Sequence, residues 1–325
     1  MRAAAVALWL VGCGLASPQT ALEPRSDFAA QSHDIFLQIL WWDLLIFAVV
    51  TVTLGLAIVR FRERAPGALP RQVRGHPRLE LAWTIAPALV LVFIAFPTVR
   101  TIFRTQAAPA PDAVRVRVVG HQWWWEFQYP DLGISTATEL HVPVGQGVVL
   151  ELTSPDVVHS FWAPPLGGKR DANPGQVNRM AFTPLEPGVY PGQCGEFCGV
   201  SHANMRLLVL VHPPEAFRAW VAREQAAPPE PAEGSAAARG RQVFTATACI
   251  GCHAVRGLSG GQVGPDLTHF GSRRTIAGGI LKNTPDELTR WLRDPPAVKP
   301  GSLMPDLGLT DGQVQDLVAW LSSLR

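Results

Sequence analysis

Two long apolar runs dominate the first hundred residues. Residues 35–59 carry a single charge, Asp43, and residues 81–99 carry none. A membrane helix needs about 20 apolar residues, so both runs qualify as spans. Trp41 and Trp42 sit toward the start of the first, where an interfacial aromatic belt is expected. Pro87 and Pro97 lie in the second, and membrane helices tolerate proline better than soluble ones do. Core helices of a soluble protein are the other reading, and two runs of this length argue against it. Across residues 114–211 the pattern shortens into "VRVRVVG", "GVVLELTS" and "LLVLV", separated by "VPVGQG", "APPLGG" and "EPGVYPGQ". Short β runs between Gly/Pro clusters predict a β-sandwich or barrel. A short helix over 214–224 closes that unit. "QAAPPEPAEGSAAARG" then shows no periodicity and reads as a flexible linker. Beyond it the pattern is helical. Thr284 is the expected N-cap, Pro285 the first helical residue, and Glu287 the partner in a capping box. In a final helix starting at Thr310, Val314, Leu317, Val318, Leu321 and Leu324 share one face. No internal repeat is visible.

Charge orients this plan. The loop between the apolar runs holds Arg60, Arg62, Arg64, Arg71, Arg74 and Arg78 against Glu63 and Glu80. By the positive-inside rule it is cytoplasmic, which places everything after Arg100 outside. The opening "MRAAAVALWLVGCGLAS" agrees: one Arg, a short apolar run and small residues make a secretory signal segment over 1–16, too short to span. "LVGC" resembles a bacterial lipobox that would lipidate Cys13, whereas cleavage after Ala16 would discard Cys13; both readings stand. The 325 residues suffice for two or three domains, and 47% apolar against 17% charged residues suits a membrane chain. A net charge of +2 makes no case for nucleic-acid binding.

Chemistry concentrates in two cysteine pairs. "CIGCH" at 249–253 has the form of a c-type haem attachment site. Two thiols add across the haem vinyls and the adjacent His253 supplies the proximal iron ligand. A redox-active C-x-x-C pair and half a zinc site are the other readings. No second C-x-x-C completes a zinc site, and the helical context is unlike a thioredoxin unit. The chain has four methionines, Met1, Met180, Met205 and Met304. Only Met304, in "GSLMP", lies in this region, which makes it the expected sixth ligand. His269 is the other candidate and reads better as a surface or packing residue. Met/His ligation raises the potential and suits electron transfer. The segment resembles a class I cytochrome c, whose first and last helices cross, and "GPDL" at 264–267 fits that family.

The second pair lies in "CGEFCGVSHANM" at 194–205. Cys194 and Cys198 are four apart, His202 four further on, and Met205 three later. Outside the cytoplasm a disulfide is the simplest reading. Against it stand the added His and Met, the loop glycines Gly195 and Gly199, and His159 in "SPDVVHSFW". Thiolate, thioether and imidazole donors select copper over Mg, Ca or Mn. One Cys more than a blue-copper site needs would let two thiolates bridge two coppers. Zinc in a Cys2His2 set is the rival and leaves Met205 without a role.

These residues resemble the CuA site of cytochrome c oxidase subunit II. The resemblance implies that His159, Cys194, Cys198, His202 and Met205 bind two coppers, with the Glu196 backbone carbonyl as the remaining ligand. It implies that the Glu196 side chain reaches a Mg ion at the interface with subunit I. In "GHQWWWEF" it makes Trp123 the residue that passes electrons to copper, while Trp124 and Trp125 read as packing. Glu80, in "LELAWTIAP", matches a proton-uptake carboxylate at the mouth of the K pathway; a solvated helix-end charge is its plainer reading. The expected organisation is a signal segment over 1–16, a transmembrane hairpin over 28–107, a cupredoxin-like β-sandwich or barrel over 108–224, a linker over 225–238, and an all-α class I cytochrome c domain over 239–325. The whole looks like the subunit II of a caa3-type oxidase of the bacterial plasma membrane. Its expected partners are subunits I and III and an extracytoplasmic cytochrome c or other donor. Two alternatives are an electron-input subunit of a nitric oxide reductase with the same copper domain, and a copper/haem redox module without an enzyme partner. A quinol oxidase subunit is disfavoured because all five copper side chains are present.

Overall fold

The computed structural model describes residues 17–62, 72, 75–106 and 110–325. The signal segment with Cys13, and the loop charges Glu63, Arg64, Arg71 and Arg74, lie outside the described residues. Two bodies separate: residues 30–107, and residues 1–29 with 108–325.

The first body is a pair of helices, α1 (Asp27–Arg60) and α2 (Pro77–Thr105). Both outrun their apolar stretches because polar residues cap them. The Ser26 hydroxyl accepts the Ala29 N–H at 3.0 Å at the start of α1. Pro77 opens α2 where its missing N–H costs nothing. There the His76 ring nitrogen Nδ1 accepts the Leu79 N–H (3.2 Å), and the Glu80 carboxylate accepts the His76 N–H (3.1 Å). The most apolar window of each helix has none of its residues buried by the rest of the chain. At 1.5 Å per residue even the shorter helix runs about 43 Å, enough to cross a hydrocarbon core of about 30 Å.

The β unit stacks two five-stranded sheets. One holds β1 (Val114–His121), β2 (Trp124–Tyr129), β3 (Ile134–Ala137), β5 (Val148–Thr153) and β8 (Asn178–Phe182), in the order β3-β2-β1-β5-β8. The other holds β4 (Glu139–Pro143), β6 (His159–Trp162), β7 (Arg170–Ala172), β9 (Gly188–Cys194) and β10 (Arg206–His212), in the order β4-β10-β9-β6-β7. Strand periodicity fills the core: Trp125, Phe127 and Tyr129 of β2 point inward while Trp124, Glu126 and Gln128 point outward. They meet Leu140, Leu150, Leu152, Phe161, Leu207 and Val209 from both sheets. Strand β4 is buried on both faces. Trp220 of α3 (Pro214–Gln225) stacks on His141 at 4.4 Å, and Glu139 is covered by the C-terminal unit.

The C-terminal unit is helical, with α4 (Ala236–Ala246), a single turn α5 (Cys249–Cys252), α6 (Pro285–Arg293), α7 (Pro295–Val298) and α8 (Asp311–Ser323). Two short ladders, β11 (Ala254–Val255) with β12 (Ser259–Gly260) and β13 (Thr275–Ile276) with β14 (Leu281–Lys282), add to the helices the sequence pattern predicts. The first and last helices cross at Gly240, where any Cβ would overlap the Asp316 carbonyl oxygen and lie 2.8 Å from Trp320 Cβ. Val314, Leu317, Val318, Leu321 and Leu324 are all buried, as their spacing predicts. Thr284 caps α6 by accepting the Glu287 N–H, but the Glu287 side chain pairs with Arg290 at 3.4 Å rather than completing a capping box.

The stretch read as a flexible linker is short and tied down. Only residues 226–235 lie between α3 and α4. The Arg256 guanidinium donates to the Glu224 and Ala226 carbonyls, both at 3.0 Å. The buried Glu139 carboxylate accepts the backbone N–H groups of Arg274 (2.7 Å) and Thr275 (2.9 Å). The helical unit is therefore docked on the β unit in this structure.

Candidate functional site

Residues 194–205 connect β9 to β10, which pair antiparallel from Gln193↔Arg206 onward. The Cys194 N–H donates to the Met205 carbonyl at 2.9 Å and closes the neck of the loop. His159 arrives from far off in sequence because β6 is the other neighbour of β9, and the Gly195 N–H donates to the Ser160 carbonyl at 2.8 Å. A 3-10 turn over His202–Asn204 brings His202 back over the loop.

The resulting donors converge. Cys194 and Cys198 are free thiols with sulfurs 3.8 Å apart, far beyond a disulfide bond of about 2 Å. His159 Nδ1 is 3.9 Å from the Cys194 sulfur, and His202 Nδ1 is 3.6 Å from the Cys198 sulfur. Met205 Sδ is 3.9 Å from the Cys198 sulfur, and the Glu196 carbonyl oxygen is 3.2 Å from the Cys194 sulfur. Ligand atoms of His159, Cys194 and Cys198 all lie within 4.8 Å of one another. This set fits a pair of soft-ligand metal ions: two adjacent sulfurs, an imidazole beside each, a thioether and a carbonyl. The two thiols are inequivalent. A hydrogen bond from Cys198 holds the Cys194 thiol well below its ordinary value, and the same contact pushes Cys198 up. Metal binding must remove the proton they share.

A carboxylate behind His159 completes this arrangement. Asp156 Oδ1 lies 2.8 Å from His159 Nε2, which leaves Nδ1 toward the sulfurs. Asp156 also accepts the Val157 N–H (2.6 Å) and the Gln122 N–H (2.7 Å). Burial works to raise its pKa, yet hydrogen bonds led by His159 hold it well below the usual carboxylate range. Sequence reasoning missed Asp156, although an Asp three residues before a candidate ligand His was visible in "SPDVVH".

Cys249 and Cys252 open onto an apolar cleft. Cys249, Cys252, His253 and Met304 line it together with apolar walls that include Leu267, Phe270 and Leu292. The His253 Nδ1–H donates to the Pro265 carbonyl at 2.8 Å, which fixes the tautomer and frees Nε2. Burial lowers the His253 pKa and favours the neutral ring a metal requires. Gly264 packs flat on that ring, where a Cβ would come within 2.5 Å of Cε1. "GPDL" therefore positions the histidine. His269 does not line the cleft: it is buried, with Nε2 3.1 Å from the Glu224 carbonyl. An apolar hollow bearing two thiols, a neutral imidazole and a thioether fits a covalently held haem.

Trp123 touches both places. Its indole N–H donates to the Cys198 carbonyl at 3.0 Å, beside the Gln122 amide at 2.7 Å. It also forms part of the cleft wall, and it is 8% exposed. Trp124 stacks on His121 at 4.3 Å, and Trp125 is fully buried in the sandwich core. The Glu196 carboxylate faces Lys169 at 3.7 Å. Glu80, in the helical hairpin, is exposed and serves locally as a cap for α2.

Residues 19–101 match the family model for the transmembrane domain of cytochrome C oxidase subunit II, residues 133–211 that for its periplasmic domain, and residues 237–325 that for cytochrome c. The cytochrome c oxidase subunit 2 of Alkalihalophilus pseudofirmus is 39% identical over 326 residues, which cover 98% of this chain and 94% of that relative. The chain belongs to the cytochrome c oxidase subunit II family. The subunit 2 of Bacillus sp. (strain PS3) is 37% identical, covering 98% of this chain and 95% of that one, and that of Bacillus subtilis (strain 168) is 34% identical, covering 99% and 96%. This subunit II is a membrane protein with two spans, a sheet domain and a fused helical cytochrome c domain, and it is a component of an oxidase complex. Its family implies copper of the CuA type and haem c as cofactors.

Proposed function

We propose that the chain is the electron-input subunit of a caa3-type cytochrome c oxidase. It takes electrons from an extracytoplasmic cytochrome c through its own cytochrome c domain and its copper loop to subunit I, where oxygen reduction is coupled to proton pumping. A covalent haem and a pair of coppers supply the one-electron redox chemistry when bound. Cys249 and Cys252 would hold the haem covalently, and His253 and Met304 would ligate its iron. His159, Cys194, Cys198, His202, Met205 and the Glu196 carbonyl would hold the coppers. The observation that carries this reading is Trp123, which hydrogen-bonds the copper loop through its indole and walls the haem cleft with the same side chain.

The remaining roles follow the same reading. The loop between α1 and α2 faces the cytoplasm, and the β and helical units work on the opposite side of the membrane. Subunits I and III are the membrane partners. The Glu196 carboxylate, released from Lys169, serves a Mg ion at the subunit I boundary. Glu80 delivers protons at the cytoplasmic mouth of the K pathway. The test is oxygen uptake by the purified complex with reduced cytochrome c as donor. Uptake that ceases when the copper-loop cysteines are replaced supports the reading, and a complex that consumes no oxygen refutes it.

A further inference from the structure

The charged group that the site chemistry leaves unused is Lys299. It is 4% exposed, and Lys is almost never that buried without a partner. Its ammonium donates to the Trp123 carbonyl and, at 3.0 Å, to the Ala277 carbonyl. Burial alone would make this expensive, and two carbonyl acceptors offset the cost. Both acceptors lie where the helical unit meets the β unit.

Two segments of the helical unit meet at this point. One is the β13–β14 turn, in which Ala277, Gly278 and Gly279 all have left-handed backbones (φ of 56°, 73° and 86°). The Gly278 carbonyl accepts the Arg206 N–H at 2.8 Å, one residue beyond Met205. A Cβ at Gly278 would overlap the Lys299 ammonium and come within 2.6 Å of the Trp123 carbonyl. A Cβ at Gly279 would lie 3.0 Å from Arg206 Cβ. The other segment is Lys299-Pro300-Gly301. The Ser201 hydroxyl donates to the Pro300 carbonyl, and a Cβ at Gly301 would come within 2.8 Å of the Trp123 ring. Three residues later this segment reaches Met304. The cytochrome domain thus grips Trp123 by its carbonyl and by its ring, and it does so with the strand of chain that also carries a haem ligand.

We propose that Lys299-Pro300-Gly301 and Ala277-Gly278-Gly279 form a built-in docking clamp, with Lys299 as its positioning residue, that holds the cytochrome domain over Trp123 in one register. The partner surface is the Trp123 main chain and the Ser201–Arg206 end of the copper loop. Glycine is needed at Gly278 and Gly301 because the two units approach too closely for a side chain. The clamp also covers the outer face of Trp123, so electrons reach the copper loop by way of the docked domain.

This clamp rests on the electron-input reading for its purpose but not for its existence, and the test separates the two. K299M removes the donor, and G278A, from the other segment, fills the space the ammonium occupies. Each variant is made in the full-length subunit within the assembled oxidase. The first readout is hydrogen exchange at the Arg206 N–H, which needs no cofactor and should quicken at least about tenfold in both variants relative to core amides of the β sandwich. The second is electron transfer to the copper centre after photoreduction of the haem. It should slow at least about tenfold, the scale of penalty for displacing a reacting pair by a fraction of an ångström to an ångström. The haem spectrum, including the methionine–iron band, and the copper EPR signal should match the parent. Parent-like Arg206 exchange in both variants overturns the clamp whatever the redox result. Faster exchange with an unchanged transfer rate overturns Lys299 as a positioning residue.

Discussion

The copper loop and the haem cleft hold ligands of the same kinds in opposite ways. In the loop the protein itself assembles the donors. Strand pairing delivers Cys194 beside His159, the Cys194–Met205 backbone bond closes the neck, and Asp156 orients the imidazole. The sulfurs and ring nitrogens stand within 3.9 Å of their neighbours, with no space left between them for anything larger than an ion. The cleft is the reverse: a hollow whose walls are core residues of the helical unit. One site is a preorganised cluster on a rigid sandwich, and the other becomes a core only when it is filled. Metal loss should therefore spare the β fold, whereas haem loss should loosen the helical unit.

The sharpest test of that contrast replaces both haem-attaching thiols. C249A/C252A should abolish covalent haem, read by haem staining after denaturing electrophoresis, and lower the helical unit's thermal stability. The copper EPR signal of the same preparation should persist, and its loss would show the two regions are not independent. The mirror experiment is C198S, which removes the sulfur that faces Cys194, His202 and Met205. The copper signal should vanish while the haem spectrum and the sandwich's unfolding temperature stay near the parent's.

A third change probes packing in the helical unit alone. G240A drives a Cβ into the Asp316 carbonyl at the crossing of α4 and α8. Overpacking of this kind costs about 1–3 kcal/mol. Unfolding followed by haem absorbance should shift by that amount, with copper release unaffected. D156A tests the loop's own scaffold. Losing a hydrogen bond to a charged group costs about 1.5–3 kcal/mol, and here part of that falls on copper affinity through His159. A chelator competition should report the weakening, and a changed copper hyperfine pattern should accompany it.

The last comparison is a pH dependence of docking. Burial pushes the Lys299 ammonium down to about 7. A lysine in water titrates near 10.4. Between these values the docked form binds fewer protons than the undocked form, so raising the pH through this window favours docking. Protection of the Arg206 N–H, normalised to core amides, should rise between pH 7 and 9 and stay flat in K299M.

Much of both proposed sites was legible because the candidate ligands are local in sequence. Cys194, Cys198, His202 and Met205 fall on one hairpin connection, and Cys249, Cys252 and His253 on one helical turn with its cap. Elimination pointed to Met304, which lines the same cleft as His253, and length and polarity pointed to the spans. The supporting groups were harder to see because each acts on a residue brought near by the fold. Pro265 holds His253 through a main-chain oxygen that any residue carries. Glu139 and Lys299 look like surface charges until the docked unit buries them. For the same reason residues 225–238, rich in Ala and Pro, read as a free tether although Arg256 holds the Ala226 carbonyl near their start. Composition reports how flexible a segment is alone and is silent on what binds its ends.

This one chain is expected to hold a pair of coppers and a covalent haem on either side of Trp123. Metal analysis combined with EPR on the purified full-length protein tests it most directly. Two coppers are expected for each haem iron, with a single unpaired electron spread over both copper nuclei. One copper per haem, or zinc in its place, would contradict it.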